Sequence, residues 1–175
     1  MSTRKTPFVT GEFYHIYNRG VEKINIFSDL NDQKRLFQSM REFNTLQPIG
    51  SIYEKHFANK KFGSNASKSE KLVNFVVYCL NPNHYHFVLE QVTDRGIEKF
   101  MQRLGTGYTK YFNEKHKRSG SLFQGKFKSV HINSNNYLLH VSAYVNLNDR
   151  VHRFGSLASK SMRIKTSWGE YIEDK

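Results

Sequence analysis

The chain has 175 residues, 27 Lys and Arg against 15 Asp and Glu, and a formal net charge of +12 with His neutral. That length suits one domain, and so positive a field excludes a generic acidic metabolic enzyme and favours a polyanionic partner, of which nucleic acid is the commonest. The single cysteine, Cys79, excludes a disulfide framework and a thiolate zinc site, while 10 Tyr and 14 Phe supply enough apolar surface to exclude wholesale disorder.

In chain order, Glu12–Arg19 alternates Phe13, His15 and Tyr17 with Tyr14, Ile16 and Asn18, the pattern of a strand. Asn31–Asn44 repeats Leu36, Phe37, Met40 and Phe43 at helical spacing, with Asp29 or Asn31 as its cap. Gly50–Phe57 reads as a short strand, and residues 58–71, polar, basic and rich in Gly and Ser, as a mobile loop. Leu72–Leu80 and His84–Gln91 are strongly apolar and flank the turn Asn81-Pro82-Asn83, so they form a hairpin at the centre of a sheet. Thr93-Asp94 opens a long amphipathic helix with the stripe Ile97, Phe100, Met101, Leu104, Tyr108 and Tyr111. Phe127–Ile132 is a further strand. Asn133 or Ser134 caps a last helix over residues 135–147, whose core stripe is Leu138, Val141 and Val145.

This order of elements predicts an α+β fold of ferredoxin-like (RRM-like) type: an antiparallel sheet with helices on one face and an extra C-terminal helix. The single domain spans residues 1–175, with its core at about 12–149 and a basic tail at 150–175. No apolar run is long enough to span a bilayer, and the opening MSTRKTPFVTGEF has no signal-peptide apolar core. The expectation is a soluble protein of a reduced, cytoplasmic compartment.

Three constellations can carry chemistry. His84 and His86, two apart on a strand, project from one face, so both imidazoles reach a single divalent cation while Tyr85 and Phe87 pack on the other side. Imidazole suits Mn²⁺, Zn²⁺ or Fe²⁺, and Mg²⁺ when a phosphate and waters complete the shell. An arbitrary His-x-His is more often a solvated pair without metal. Glu90 shares the face as a further ligand or, more blandly, as a carboxylate paired to Lys. On the last helix Tyr144 and Asn148, at i and i+4, lie together at the edge of the core stripe, with His140 a turn back. A tyrosine there is ordinarily packing with a wet hydroxyl. Between Arg103 and His131, seven Lys and Arg stand against one Glu, interleaved with Tyr108, Tyr111, Phe112, Phe123 and Phe127. Such a mixture suits single-stranded nucleic acid, although Tyr108 and Phe112 read better as core. Lys126 and Lys128 alternate with Phe127 and share a face, which makes them the better phosphate contacts.

Taken together these residues resemble a known family. Asn81-Pro82-Asn83-His84-Tyr85-His86-Phe87 is similar to the His–hydrophobic–His (HUH) motif of single-strand DNA transposases. Tyr14-His15-Ile16-Tyr17-Asn18-Arg19-Gly20 resembles the opening of the REP-associated tyrosine transposases, and Gly120–Lys128 (GSLFQGKFK) their strand-entry motif. Tyr137-Leu138 through Ala143-Tyr144-Val145-Asn146-Leu147-Asn148 resembles the helix that bears their single nucleophilic tyrosine, and Thr166–Tyr171 a tail motif. The likeness runs from about Glu12 to Tyr171, and the ordered set of five motifs is strongly specific. One departure is that relatives commonly have Asn-Pro after the tyrosine helix, where this chain has Asn148-Asp149-Arg150.

The resemblance implies a mechanism. His84 and His86, with Asn148 as third ligand, would hold Mg²⁺ or Mn²⁺ against the scissile phosphate of single-stranded DNA. Tyr144 would attack in line, leaving a 5′-phosphotyrosine link and a 3′-OH, and a second 3′-OH could reverse the step and rejoin strands without ATP. Arg19, Lys126 and Lys128 would contact DNA. Relatives act as dimers on hairpin-forming strands, so a homodimer acting on hairpin-containing DNA at the nucleoid is the expectation here. Two other classes compete: a ferredoxin-like module that binds single-stranded nucleic acid on Tyr14, Tyr17, Phe75 and Phe127 without chemistry, and a metal-dependent nuclease in which water attacks instead of Tyr144.

Overall fold

A computed structural model describes residues 7–50, 52, 70–153 and 165–167, with backbone only for 148–153 and 165–166. The period-two segments become strands. β1 (Phe13–Arg19) pairs antiparallel with β3 (His84–Gln91), from Phe13 opposite Glu90 to Arg19 opposite His84. β2 (Val73–Asn81) and β3 form the expected hairpin across Pro82-Asn83, with a bulge between Phe75 and Val77. β4 (Lys128–Ile132) lies along the other side of β1, and the two-residue β5 (Lys165–Thr166) adds to the outer side of β2. The sheet order is β4-β1-β3-β2-β5. With α1 (Leu30–Glu42) between β1 and β2 and α2 (Gly96–Lys115) between β3 and β4, the first four strands have the predicted ferredoxin-like arrangement.

Alternation sorts the side chains. Tyr14, Ile16, Tyr85, Phe87 and Leu89 face α1 and α2, where Leu36, Met40, Ile97, Phe100, Leu104, Tyr108 and Phe112 close the main core. The opposite face is covered by α3 (Asn135–Arg153), whose Val141 and Val145 pack on Val77, Cys79, Val88 and Ile132. Burying each such aliphatic side chain contributes about 1.5–3 kcal/mol, enough to hold the helix flat on the sheet. Among the described residues no helix is long and apolar enough to cross a membrane.

Polar groups tie the helices down. Asp29 caps α1: its carboxylate accepts from Asp32 N at 3.0 Å, and the Asp32 carboxylate accepts from Asp29 N at 3.3 Å. Asp32, fully buried, also receives Lys115 Nζ at 2.6 Å and has His116 Nε2 at 3.1 Å, joining the start of α1 to the end of α2.

Two expectations are corrected. Of the strand expected over Gly50–Phe57, Gly50 lies in a bend and Ile52 is helical and buried; a short apolar run does not distinguish strand from helix by periodicity. The α2 stripe is joined by Phe112, 2 % exposed, and Tyr111 packs half-buried against the same core while its hydroxyl donates to Asp32 Oδ1 at 3.2 Å. α3 continues to Arg153, six residues past the expected end, because Asp149 and Arg150 do not break a helix as proline would. Ser134 is its cap, accepting from Tyr137 N at 3.2 Å. The loop expected over 58–71 lies, but for its last two residues, outside the described residues, as do Trp168 and Tyr171.

Gly20 marks a close approach. Its N–H donates to Asn83 O at 2.8 Å, and a Cβ there would sit 2.3 Å from the backbone oxygen of Ile24. Gly20→Ala is expected to cost about 1–3 kcal/mol in urea unfolding. An unchanged midpoint would show that the loop can move aside.

Candidate active site

The site begins with the polar face of β3. Since Tyr85 and Phe87 are held in the main core at 3 % and 0 % exposure, His84 and His86 must project to the α3 side. Their rings lie 5.2 Å apart, edge to face. His84 Nδ1 donates to Asn83 Oδ1 at 2.6 Å. β1 brings a third imidazole to the same face: His15 is opposite Val88, its Nε2 is 2.9 Å from His86 Nδ1, and its ring stacks on that of His86 at 5.1 Å. Burial pulls the His15 pKa down to about 4, so the ring is neutral near neutral pH. Tyr17, directly opposite His86, stacks on it at 5.7 Å.

α3 supplies the tyrosine. With Val141 and Val145 seated on the sheet, Tyr144 falls at the edge of the buried stripe, 46 % exposed. Its ring stands edge-on to His86 at 5.9 Å and to His15 at 6.4 Å, within one chain. The helix is clipped from the far side: Ser167 Oγ donates to Asn146 Oδ1 at 2.8 Å and accepts from Tyr78 N at 3.3 Å.

Three sequence motifs meet at the His84 end of the sheet. Asn18 Nδ2 donates to Gly125 O at 3.2 Å, Gln124 N donates to Arg19 O at 2.9 Å, and Arg19 Nε donates to Gln124 Oε1. Gly20 bridges to Phe123, whose ring closes over Tyr85. Arg19, Lys126 and Lys128 reach the surface, Arg19 across the ladder from His84 and Lys128 across from Tyr17.

Of the residues singled out from sequence, His84, His86 and Tyr144 are therefore brought together, and Arg19 stands beside them. Asn148 lies one turn further along α3, with its side chain outside the described residues. Glu90 sits at the far end of β3 and accepts from Asn74 Nδ2 at 3.0 Å instead of joining the pair or a lysine. Among the described residues no three His, Cys, Asp or Glu side chains form a metal-holding group. The two histidines fit a divalent cation that takes its other ligands from an amide, phosphate oxygens and water. Sequence reading missed His15, Asn83 and Ser167. Alternation does put His15 on the face of Tyr17, but only the β1–β3 register shows what it touches.

A βαββαβ frame with a tyrosine-bearing helix laid over its second face, beside paired histidines, sets this chain apart from an open-faced nucleic-acid-binding sheet. Residues 52–148, more than half the chain, match the family described as IS200-like transposases, and the chain belongs to that family. Its fold is similar to that of a REP-associated tyrosine transposase bound to a REP hairpin, with a TM-score of 0.60 at 9 % identity, over 99 % of this chain and 86 % of that one. A candidate transposase from Deinococcus radiodurans R1 aligns with a TM-score of 0.45 at 12 % identity, over 82 % of this chain and 95 % of its own. No curated protein sequence matches.

Proposed function

We propose that this transposase is an endonuclease and strand transferase of single-stranded, hairpin-containing DNA, acting through a 5′-phosphotyrosine on Tyr144. His84, His86 and Asn148 would hold Mg²⁺ or Mn²⁺, which would polarise the phosphoryl oxygens of the scissile phosphate. Tyr144 Oη forms the new bond to phosphorus as the bond to the 3′ oxygen breaks; the phenolic proton is lost and the leaving oxygen gains one to become a 3′-OH. The phosphodiester energy is kept in the protein–DNA link, so a second 3′-OH can attack it and rejoin strands. Arg19, Lys126 and Lys128 are the proposed phosphate contacts, and a homodimer is the proposed assembly.

The observation that carries this reading is the approach of Tyr144 to His86 at 5.9 Å between rings. The hairpin-bound REP-associated transposase, similar in fold, supports a hairpin substrate here. Less favoured is the binding-module alternative, whose rings are engaged within the fold: Tyr14 is 2 % exposed in the main core, Tyr17 stacks on His86, Phe75 packs on Phe87 and Phe100, and Phe127 stacks on Phe8. The test is incubation with hairpin oligonucleotides and Mn²⁺, followed by mass spectrometry of any denaturation-resistant adduct. DNA on Tyr144 is the expected result; cleavage with no adduct would transfer the chemistry to water.

The double variant Lys126→Ala/Lys128→Ala should weaken binding to all single-stranded sequences alike, and should flatten the dependence of log K on log salt by about 1–1.5. An unaltered salt slope would remove these lysines from the interface.

A further inference from the structure

We propose that His15 is a positioning residue: its Nε2 accepts the Nδ1–H of His86 and holds that ring in the tautomer whose Nε2 bears the lone pair. The inference rests on the metal-dependent reading above and assigns it a residue outside the HUH pair.

A neutral imidazole has one proton for two nitrogens, and only the unprotonated nitrogen ligates a metal. For His84 the choice is made by Asn83, whose Oδ1 at 2.6 Å can only accept, so Nδ1 carries the proton. For His86 the neighbour of Nδ1 is another imidazole, at 2.9 Å, which can accept or donate. If His15 donated, the His86 proton would move to Nε2, the Nδ1 lone pair would be spent on the hydrogen bond, and His86 would have no nitrogen left for the cation. If His15 accepts, both rings carry the proton on Nδ1 and both offer Nε2. The fold holds His15 in place to do this. It stands on β1 in register with Val88, its ring is stacked on His86, and Tyr144 covers it edge-on. Partners that orient a ligand imidazole in this way commonly govern metal affinity by about 10–100-fold.

The full chain labelled with ¹⁵N-histidine, free of metal at neutral pH, reports each tautomer through two-bond ¹⁵N–¹H correlations. The expected pattern is Nδ1–H on both His84 and His86. His15→Phe keeps the ring and removes the acceptor; it should disturb the His86 pattern alone and weaken Mn²⁺ binding, followed by electron paramagnetic resonance, by about 10–100-fold. His15→Gln, whose Oε1 accepts, should recover most of that loss, which a role in packing alone does not predict. Circular dichroism verifies that both variants are folded. A wild-type His86 protonated on Nε2, or a His15→Phe chain that binds Mn²⁺ as well as wild type, overturns the assignment. A wild-type chain that binds no Mn²⁺ would instead sink the metal-dependent reading, while the tautomers, measured without metal, still judge His15.

Discussion

Tyr144→Phe is expected to abolish the covalent protein–DNA adduct and to lower cleavage by about 10³-fold or more, with the fold unchanged. The substitution deletes one oxygen from a side chain that is 46 % exposed, and it keeps the ring edge that meets His86 and His15. Stability should therefore move by no more than about 0.5 kcal/mol. Thermal unfolding and the adduct assay, run on one preparation, separate the two effects. A variant that cleaves at the wild-type rate would mean that water is the nucleophile and that the tyrosine only lines the site.

The largest effect on stability is expected at Asp32. Its carboxylate is fully buried and accepts from Ser28 N at 2.8 Å, Asp29 N at 3.3 Å, Tyr111 Oη at 3.2 Å and Lys115 Nζ at 2.6 Å. Asp32→Ala strands these donors and leaves the half-buried Lys115 with Asp29 alone, so urea unfolding should report a loss of about 3–5 kcal/mol. Asp32→Asn, which keeps an acceptor for the backbone, should lose less. The cluster also has a pH signature. The hydrogen bond from Lys115 holds the Asp29 carboxyl below its usual range, so its contribution is present above that range and is lost as pH falls through the lowered value. Asp32 serves the side of the sheet covered by α1 and α2, and the His pair lies on the other, so folded Asp32→Ala should cleave DNA normally. Equal losses of cleavage and stability in Asp32→Asn would contradict that separation.

The sheet was legible in the sequence because its strands are short, strongly apolar and of period two. Once Tyr85 and Phe87 are assigned to the core, His84 and His86 have only one face left. Helical spacing likewise put Tyr144 at the margin of Val141 and Val145. The resemblance to transposases supplied the proposed roles of these residues, which strand and helix geometry do not. Spacing along one element could not reveal how elements meet. That Tyr144 approaches His86 depends on α3 crossing the second face of the sheet, and His15 meets His86 only through a register set between strands 71 residues apart. The Arg19–Gln124 contact spans 105 residues, a separation at which local pattern carries no information. The length of α3 was misjudged because a missing helix breaker leaves less trace than one that is present.

The meeting of Tyr144 with His86 inside one polypeptide bears on the fate of the DNA after cleavage. Under the proposed chemistry, the captured DNA end would be tethered to the body that must release it. The end would then be an intramolecular reactant, whose effective concentration is set by the geometry of the fold and not by how much protein is present. Dilution would slow the arrival of a new strand and leave resealing of the old one untouched.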